Sequence, residues 1–375
     1  MIITPQHADI HPTWQHRYAI AQFDQHPAPC PLPLAGSSDL LVPIFVPRMD
    51  KDGEARRYTP ARYGDKEGVG RVTIRHIVEV GQFDRNWVES LFDHANRMRH
   101  LNAEPAPLHG RILATLFYEP STRTRLSFES AMLRLGGQVI STENAREFSS
   151  AIKGETVEDT VRIVAGYADG IVIRHYEQGA AGRAALASPV PIVNGGDGPG
   201  EHPTQALLDL YTIRHELGRI DGLRVALVGD LRFGRAARSL ARLFCLTENT
   251  ELLFVSPPAV PMGGDVLAAL DASGVRYRIE TDLARVLPEV DVVYQTRIQR
   301  ERFATPEEYE ASRGHYVLNE NAFAQLARSA VVLHPLPRVD EIAPEVDADP
   351  RAAYFRQAHN GVFVRMALLD GLLGQ

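Results

Sequence analysis

A run of hydroxyl and cationic side chains in the first half of the chain has the composition of a phosphate-binding site. Residues 121–125, with the sequence STRTR, follow the apolar run Ile112–Phe117 and precede an amphipathic run. We predict the first run to be a buried strand and the second to be a helix. The first turn of a helix presents unpaired N–H groups and a positive dipole end, so two arginines there are unfavourable unless an anion binds. The segment predicts a phosphate site. A serine N-cap followed by a solvent-exposed basic turn would have the same sequence pattern.

Four later apolar runs, each predicted to be a strand, also lead directly into polar or cationic residues. In open parallel sheets, ligands bind just beyond the carboxyl ends of the strands. We therefore predict one or two facing clefts rich in cations. The pairs that follow these strands are Arg174 and His175, Asp230 and Arg235, Arg297 and Gln299, and His334 and Arg338.

Several of these side chains also have simpler interpretations. His202, at the end of a glycine-rich segment, could be a structural hydrogen-bonding residue, and Gln205 could be a polar residue at a helix start. Arg235 and Arg297 could each be exposed, as most arginines are. Asp230 could be a catalytic base or could fix the loop that follows its strand.

The elements that position these residues alternate between strands and amphipathic helices from Val72 onward, which is typical of an α/β fold with parallel sheets. Strands are predicted at 170–173, 190–193, 224–228, 290–294 and 331–333, and a last helix at Gly361–Leu373. A polar loop is predicted at 147–160. Residues 1–70 hold many prolines and little periodicity, so we predict an irregular extension there.

Composition excludes several classes of protein. The net charge of −7 disfavours nucleic-acid binding, and two cysteines exclude a disulfide scaffold or a cysteine-rich metal site. No apolar run reaches about 20 residues, and the N-terminus shows neither a secretory signal nor a transit peptide. We therefore expect a cytoplasmic protein that binds neither membranes nor metals. Because the whole molecule is acidic, an anionic substrate would need a local cluster of arginines.

Five ordered motifs resemble those of the aspartate/ornithine carbamoyltransferase family. Residues 117–125 (FYEPSTRTR) resemble its carbamoyl-phosphate signature, and residues 202–205 (HPTQ) resemble its second shared motif. Three more resemble the aspartate branch in particular: 229–235 (GDLRFGR), 296–299 (TRIQ) and 334–338 (HPLPR). The similarity extends over roughly residues 72–375.

The resemblance implies a role for each matched residue. Ser121, Thr122, Arg123 and Thr124 would bind the phosphate, and Arg174 would bridge the phosphate and the carbonyl. His202 would donate a hydrogen bond to that carbonyl, Gln205 would hold the carbamoyl amide, and backbone oxygens near Leu336 would accept from the amines. Arg235 and Arg297 would bind the two carboxylates of aspartate, with Gln299 beside them. Ser149 and Lys153 would come from a neighbouring subunit, and Lys153 would also contact aspartate.

The same resemblance implies the architecture and the reaction. We expect two doubly wound parallel-sheet domains joined by crossing helices, beside an irregular N-terminal extension. The carbamoyl-phosphate domain would comprise residues 71–203 plus 355–375, the aspartate domain 204–354, and the extension 1–70. The expected reaction is carbamoyl transfer from carbamoyl phosphate to L-aspartate in pyrimidine biosynthesis, without a cofactor. Arg123, Thr124, Arg174 and His202 would be the catalytic residues, and the sites would lie at the interfaces of a homotrimer.

Two alternatives to this reaction stay open at this stage, as does the presence of a partner chain. An ornithine carbamoyltransferase would need a site for a cationic substrate, which Arg297 and Pro335 disfavour. A non-catalytic anion-binding homologue would be expected to lack some motif residues, and none is missing. A regulatory or dihydroorotase-like partner chain could join the assembly. The sequence departs from the family's common pattern at Ile152 and Arg232, where a basic residue and a lysine are usual.

Overall fold

The computed structural model describes residues 75–101, 106–145, 154–298, 305, 307 and 316–374. The predicted extension, and candidate residues Ser149, Lys153 and Gln299, lie outside these residues. All the described residues belong to one compact unit. Within them, no helix is both long enough and apolar enough to cross a membrane.

The first half of the described chain forms a sheet of four parallel strands in the order β2-β1-β3-β4, with helices between the strands. Its elements are α1 (Arg85–Met98), β1 (Ile112–Phe117), α2 (Thr122–Arg134), β2 (Gln138–Glu143), α3 (Val157–Val164), β3 (Gly170–His175), α4 (Ala180–Ala187) and β4 (Ile192–Asp197). A long helix, α5 (Pro203–Leu217), leads out of this half.

The second half forms a sheet of five parallel strands in the order β7-β6-β5-β8-β9. Its elements are β5 (Arg224–Val228), α6 (Arg235–Leu243), β6 (Glu251–Val255), α7 (Gly264–Ser273), β7 (Arg276–Glu280), α8 (Leu283–Val286), β8 (Val292–Gln295), α9 (Glu320–Gln325) and β9 (Val331–Leu333). The last helix, α10 (Tyr354–Leu373), packs against α1, α2 and α5 of the first half.

The central strands of each sheet are buried on both faces, which is why they are apolar without alternation. In β1, Leu113 and Phe117 belong to one hydrophobic cluster and Ala114 and Leu116 to another. The residues of β5 divide in the same way between two clusters. The predicted α/β fold with two parallel sheets is confirmed, whereas the domain boundaries at 203/204 and 354/355 stay predictions.

Several predicted element boundaries were wrong. The fourth strand runs over Ile192–Asp197, not 190–193, because its pairing with β3 continues past the glycines to His175 opposite Asp197. Residues 157–160 are helical, since the Thr156 hydroxyl caps α3 by accepting from the Asp159 N–H. The last helix begins seven residues before its predicted start, with Gln357 and Asn360 buried in its first turns.

Candidate active site

One cavity of about 1030 Å³ opens at the carboxyl ends of strands from both sheets. Ten candidate residues named from the sequence line it, and they come from seven separate points along the chain. They are Ser121, Thr122, Arg123, Thr124, Arg174, His202, Gln205, Arg235, Arg297 and Leu336. The four arginines predicted to bind the two substrates therefore do share one cavity, although their individual roles stay predictions.

The first turn of α2 forms one wall of the cavity. Ser121 is the N-cap residue with extended backbone, and its side chain makes no capping hydrogen bond within the described structure. No acidic residue lies in the first turn of this helix. The N–H groups of this turn, the hydroxyls and Arg123 together make an anion site that backbone and side chains supply jointly.

Arg123 and Arg125 diverge, although they lie two residues apart. Arg123 lines the cavity, where burial lowers the pKa of its guanidinium. The Arg125 guanidinium instead forms an ion pair at 2.7 Å with Glu143 of β2 and contacts the hydroxyl of Ser141. Only one of the two arginines, Arg123, therefore lines the cavity.

Two further arginines meet across the cavity, one from each sheet. Arg174, at the end of β3, donates to the carbonyl of Gly195, and Arg235, at the start of α6, donates to that of Gly198. Both also lie 3.5 Å from Glu119 Oε2, so a single carboxylate joins the two sheets. A side chain at Gly196 would come within 3.0 Å of Arg235 and 3.2 Å of Arg174, so glycine there leaves room for both guanidinium groups.

Burial and the positive charges gathered in the cavity lower the pKa of Arg174. Burial, and then the charge of Arg235, lower the pKa of Arg174 to about 9, despite the opposing effect of Glu119. Like charges that lie close together in a low dielectric destabilise one another. A ligand with concentrated negative charge would therefore stabilise this cavity the most.

His202 is buried directly before α5. Its backbone N–H donates to the Ser239 hydroxyl of α6, and its Nε2 lies 3.5 Å from Thr124 Oγ1. Burial, followed by the charges of Arg235, Arg174 and Arg365, holds the pKa of His202 well below its usual range. The imidazole is therefore neutral near pH 7, and a neutral imidazole has one N–H to donate.

The turn at Leu336 is held by a buried histidine–carboxylate pair. Leu336 has a φ of 53°, a conformation that a residue with a side chain rarely adopts. Its N–H donates to His334 Nδ1 at 2.7 Å, so His334 carries its proton on Nε2, which lies 2.7 Å from Glu341. The polar side chains after β9 thus shape a backbone turn beside the cavity.

Three residues that lie in or beside the cavity were not predicted from the sequence. Arg365 and Gln357, both on α10, line the cavity, and Glu119 lies between two of its arginines. Arg365 lies in a mostly apolar stretch of α10. From the sequence alone, an arginine there would be assigned to the solvent-exposed side of the helix. Glu119 lies inside the motif at 117–125, and that position was the available signal. Asp230 fixes the loop after β5, because its carboxylate accepts from the Phe233 N–H.

The part of the chain that the structure describes holds no cluster of side chains suited to binding a metal ion. No group of three or more histidine, cysteine, aspartate or glutamate side chains comes together there. The expectation of a reaction without a cofactor stays a prediction.

A helix start and four arginines that line one cavity at the ends of two parallel sheets indicate an enzyme that acts on anionic substrates. The chain belongs to the aspartate/ornithine carbamoyltransferase family. The carbamoyl-P binding domain of that family matches residues 75–215, and its Asp/Orn binding domain matches residues 221–372.

Individual relatives agree with this assignment. The chain is 56% identical over 304 residues to the chloroplastic aspartate carbamoyltransferase of Arabidopsis thaliana, covering 80% of this chain and 78% of that one. It is 50% identical to the aspartate carbamoyltransferase catalytic subunit of Methanopyrus kandleri, covering 80% and 97% of the two chains. The structure of Trypanosoma cruzi aspartate transcarbamoylase with carbamoyl phosphate superposes with a TM-score of 0.75 at 40% identity, covering 80% and 96%.

Proposed function

We propose that this chain transfers the carbamoyl group of carbamoyl phosphate to the amino group of L-aspartate, giving N-carbamoyl-L-aspartate and phosphate. The observation that carries the proposal is the shared cavity. Arg123 and Arg174 reach it from the first sheet, and Arg235 and Arg297 reach it from the second. A phosphate and a dicarboxylate together need that many cationic groups on opposite walls.

The phosphate is bound at the start of α2. The N–H groups of the first turn, the hydroxyls of Ser121, Thr122 and Thr124, and the Arg123 guanidinium supply the donors. Because these donors are fixed before the ligand arrives, little reorganisation accompanies binding, and the same groups stabilise the phosphate as it leaves.

The carbonyl oxygen of carbamoyl phosphate lies toward Arg174, His202 and Thr124. A neutral His202 suits this position, because it donates a hydrogen bond without adding a further positive charge to the cavity. The three donors stabilise the negative charge that develops on the oxygen during attack. Gln205 accepts from the carbamoyl NH₂ on the other side.

Aspartate binds from the second sheet. Arg235 and Arg297 each take one carboxylate, with Gln299 beside them, and the backbone oxygens at Leu336 orient the amine. The neutral amine attacks the carbonyl carbon, a C–N bond forms, and the C–O bond to phosphate then breaks. The amine proton leaves with the phosphate, so positioning and electrostatics supply most of the rate acceleration.

We further propose that the active molecule is a homotrimer in which a neighbouring subunit contributes Ser149 and Lys153. The outer side of α2 carries Leu126, half exposed, which lines the cavity, and Leu133, 60% exposed, which lies beyond the cavity on the same helix. Apolar side chains at that exposure, beside an open cavity, favour coverage by a second copy. Leu133→Glu should dissociate the trimer in light scattering and abolish activity, whereas Leu186→Glu, on an exposed side of α4 that does not line the cavity, should change neither.

Location and further partners also stay proposals. A cytoplasmic location is the expectation from the sequence, and the plant relatives are named chloroplastic. Cell fractionation would decide between the two. The chain also matches 14% of the Dictyostelium discoideum protein named multifunctional protein pyr1-3. Co-purification from native cells would show whether a regulatory or dihydroorotase-like chain accompanies this one.

The activity test is a colorimetric assay for carbamoyl-amino acid product with carbamoyl phosphate and either aspartate or ornithine. We expect turnover with aspartate alone, because Arg297 repels the cationic side chain of ornithine. Equal turnover of the two, or turnover of ornithine alone, would refute the substrate assignment. Absence of both products, with carbamoyl phosphate bound, would favour a non-catalytic homologue.

A further inference from the structure

The side chain of Gln205 is held by a buried carboxylate that the reaction itself does not use. Asp209 lies one turn further along α5 and is fully buried. Its Oδ1 accepts from Gln205 Nε2 at 2.8 Å and from Gln357 Nε2 at 2.5 Å, and its Oδ2 accepts from the Tyr294 hydroxyl at 2.7 Å. Three donors from α5, α10 and β8 therefore converge on one carboxylate.

This arrangement determines which end of the Gln205 amide is available to a ligand. An ionised carboxylate only accepts hydrogen bonds, so Gln205 must turn its NH₂ toward Asp209. The amide atom left for the cavity is Oε1, an acceptor. Gln357 is oriented in the same way, and its Oε1 accepts from the His334 N–H at 2.8 Å.

We propose that Asp209 is a positioning residue that makes the site select a carbamoyl NH₂ over a methyl group at the same place. The inference rests on the proposed function of Gln205 and deepens it. Without Asp209, the amide of Gln205 could rotate and present its own NH₂ group. Two donors would then face each other, and the preference for carbamoyl phosphate would be lost.

Acetyl phosphate is the probe that separates this role from a general structural one. It has the phosphate and the carbonyl of carbamoyl phosphate, but a methyl group replaces the NH₂. Calorimetric dissociation constants for both ligands give a preference ratio. Measurement at pH 8.5 keeps the carboxyl ionised, since burial raises the pKa of Asp209 to about 7.

The variant Asp209→Leu removes the acceptor and keeps water out of its place. We expect the preference ratio to fall at least tenfold, with the dissociation constant for acetyl phosphate within threefold of the parent's value. If D209L does not fold, Asp209→Ala serves in its place, with the same expected direction. An unchanged ratio would overturn the proposal, and so would equal weakening of both ligands, which indicates a structural role.

The conservative variant is Asp209→Asn. Its side-chain oxygen can take the place of Oδ1 between the two glutamines, while its NH₂ donates to the Tyr294 hydroxyl, the one partner able to accept. We expect D209N to keep the ratio within threefold of the parent's value, and a collapse as large as that in D209L would overturn the proposal. Because these are binding measurements, an inactive parent would refute the proposed reaction and still leave the role of Asp209 decided.

Discussion

Arg123 and Arg125 offer the sharpest comparison in the molecule, because they share one helical turn and differ in where their guanidinium groups go. Arg123 lines the cavity, whereas Arg125 pairs with Glu143 on the outer strand. Replacing each with glutamine removes one positive charge from the same first turn. Any effect on the helix dipole is therefore common to both variants, and the difference between them reports on the ligand.

The size of the effect follows from the bonds that are lost. A hydrogen bond to a charged partner contributes about 1.5–3 kcal/mol, and a guanidinium can make two to one phosphate. The loss of about 3 kcal/mol in Arg123→Gln corresponds to a fall of roughly 150-fold in kcat/KM for carbamoyl phosphate. The partly exposed ion pair of Arg125 with Glu143 contributes about 1 kcal/mol to stability and lies outside the cavity, so Arg125→Gln should keep kcat/KM within twofold.

Steady-state kinetics with saturating aspartate, together with thermal unfolding, separate these outcomes. Because an arginine in the first turn opposes the dipole, R123Q without ligand should unfold no earlier than the parent. A loss of activity in R123Q therefore cannot be attributed to unfolding. Similar losses in both variants, or a loss below threefold in R123Q, would refute the assignment of Arg123 to the phosphate.

Three other predictions follow from the site. Arg297→Ala should raise the aspartate KM about 100-fold and leave carbamoyl-phosphate binding nearly intact in calorimetry, and an unchanged KM would remove Arg297 from the site. Since the pKa of His202 lies well below its usual range, His202→Gln should lower kcat by a similar factor at every pH from 6 to 9, whereas a factor that varies with pH would show that His202 titrates there. Burial alone would raise the pKa of Glu341, but the hydrogen bond from His334 holds it below its ordinary value. The ionised Glu341 therefore stabilises the folded protein fully at any pH above that ordinary pKa. This stabilisation is lost as the pH falls through the lowered pKa of the folded state. The stability advantage of the parent over Glu341→Gln in urea should therefore shrink below about pH 4, and an advantage that grew instead would contradict the hydrogen bond from His334.

The sequence predicts the chemistry at the strand ends better than it predicts the ends of the elements. The strands Ile112–Phe117 and Val331–Leu333 were predicted with their observed bounds, because both are short apolar runs between polar residues. The polar edge strand Gln138–Glu143 was not identified, since its mostly exposed residues carry no apolar run. Hydrogen bonds to a neighbouring strand, which no local pattern encodes, define it.

In the cavity, too, some features could be predicted from the sequence and others could not. Four of its arginines (Arg123, Arg174, Arg235 and Arg297) follow apolar strands, so their positions along the chain predict that they meet. The buried network of Asp209, Gln357 and Tyr294 joins residues 85 and 148 positions away from Asp209, and no local spacing connects them. The divergence of Arg123 from Arg125 likewise depends on Glu143, which belongs to a strand that the sequence did not reveal.

The central claim is that one cavity holds a phosphate and a dicarboxylate at the same time. A phosphonate joined covalently to aspartate, N-(phosphonacetyl)-L-aspartate, tests this by calorimetry against phosphate and aspartate measured separately. Because the second group binds at a high effective concentration, the joined compound should bind at least about 100-fold more tightly than either fragment, with one molecule per chain. An affinity no greater than that of phosphate alone would show that the arginines of the two sheets serve separate sites, and would contradict the account.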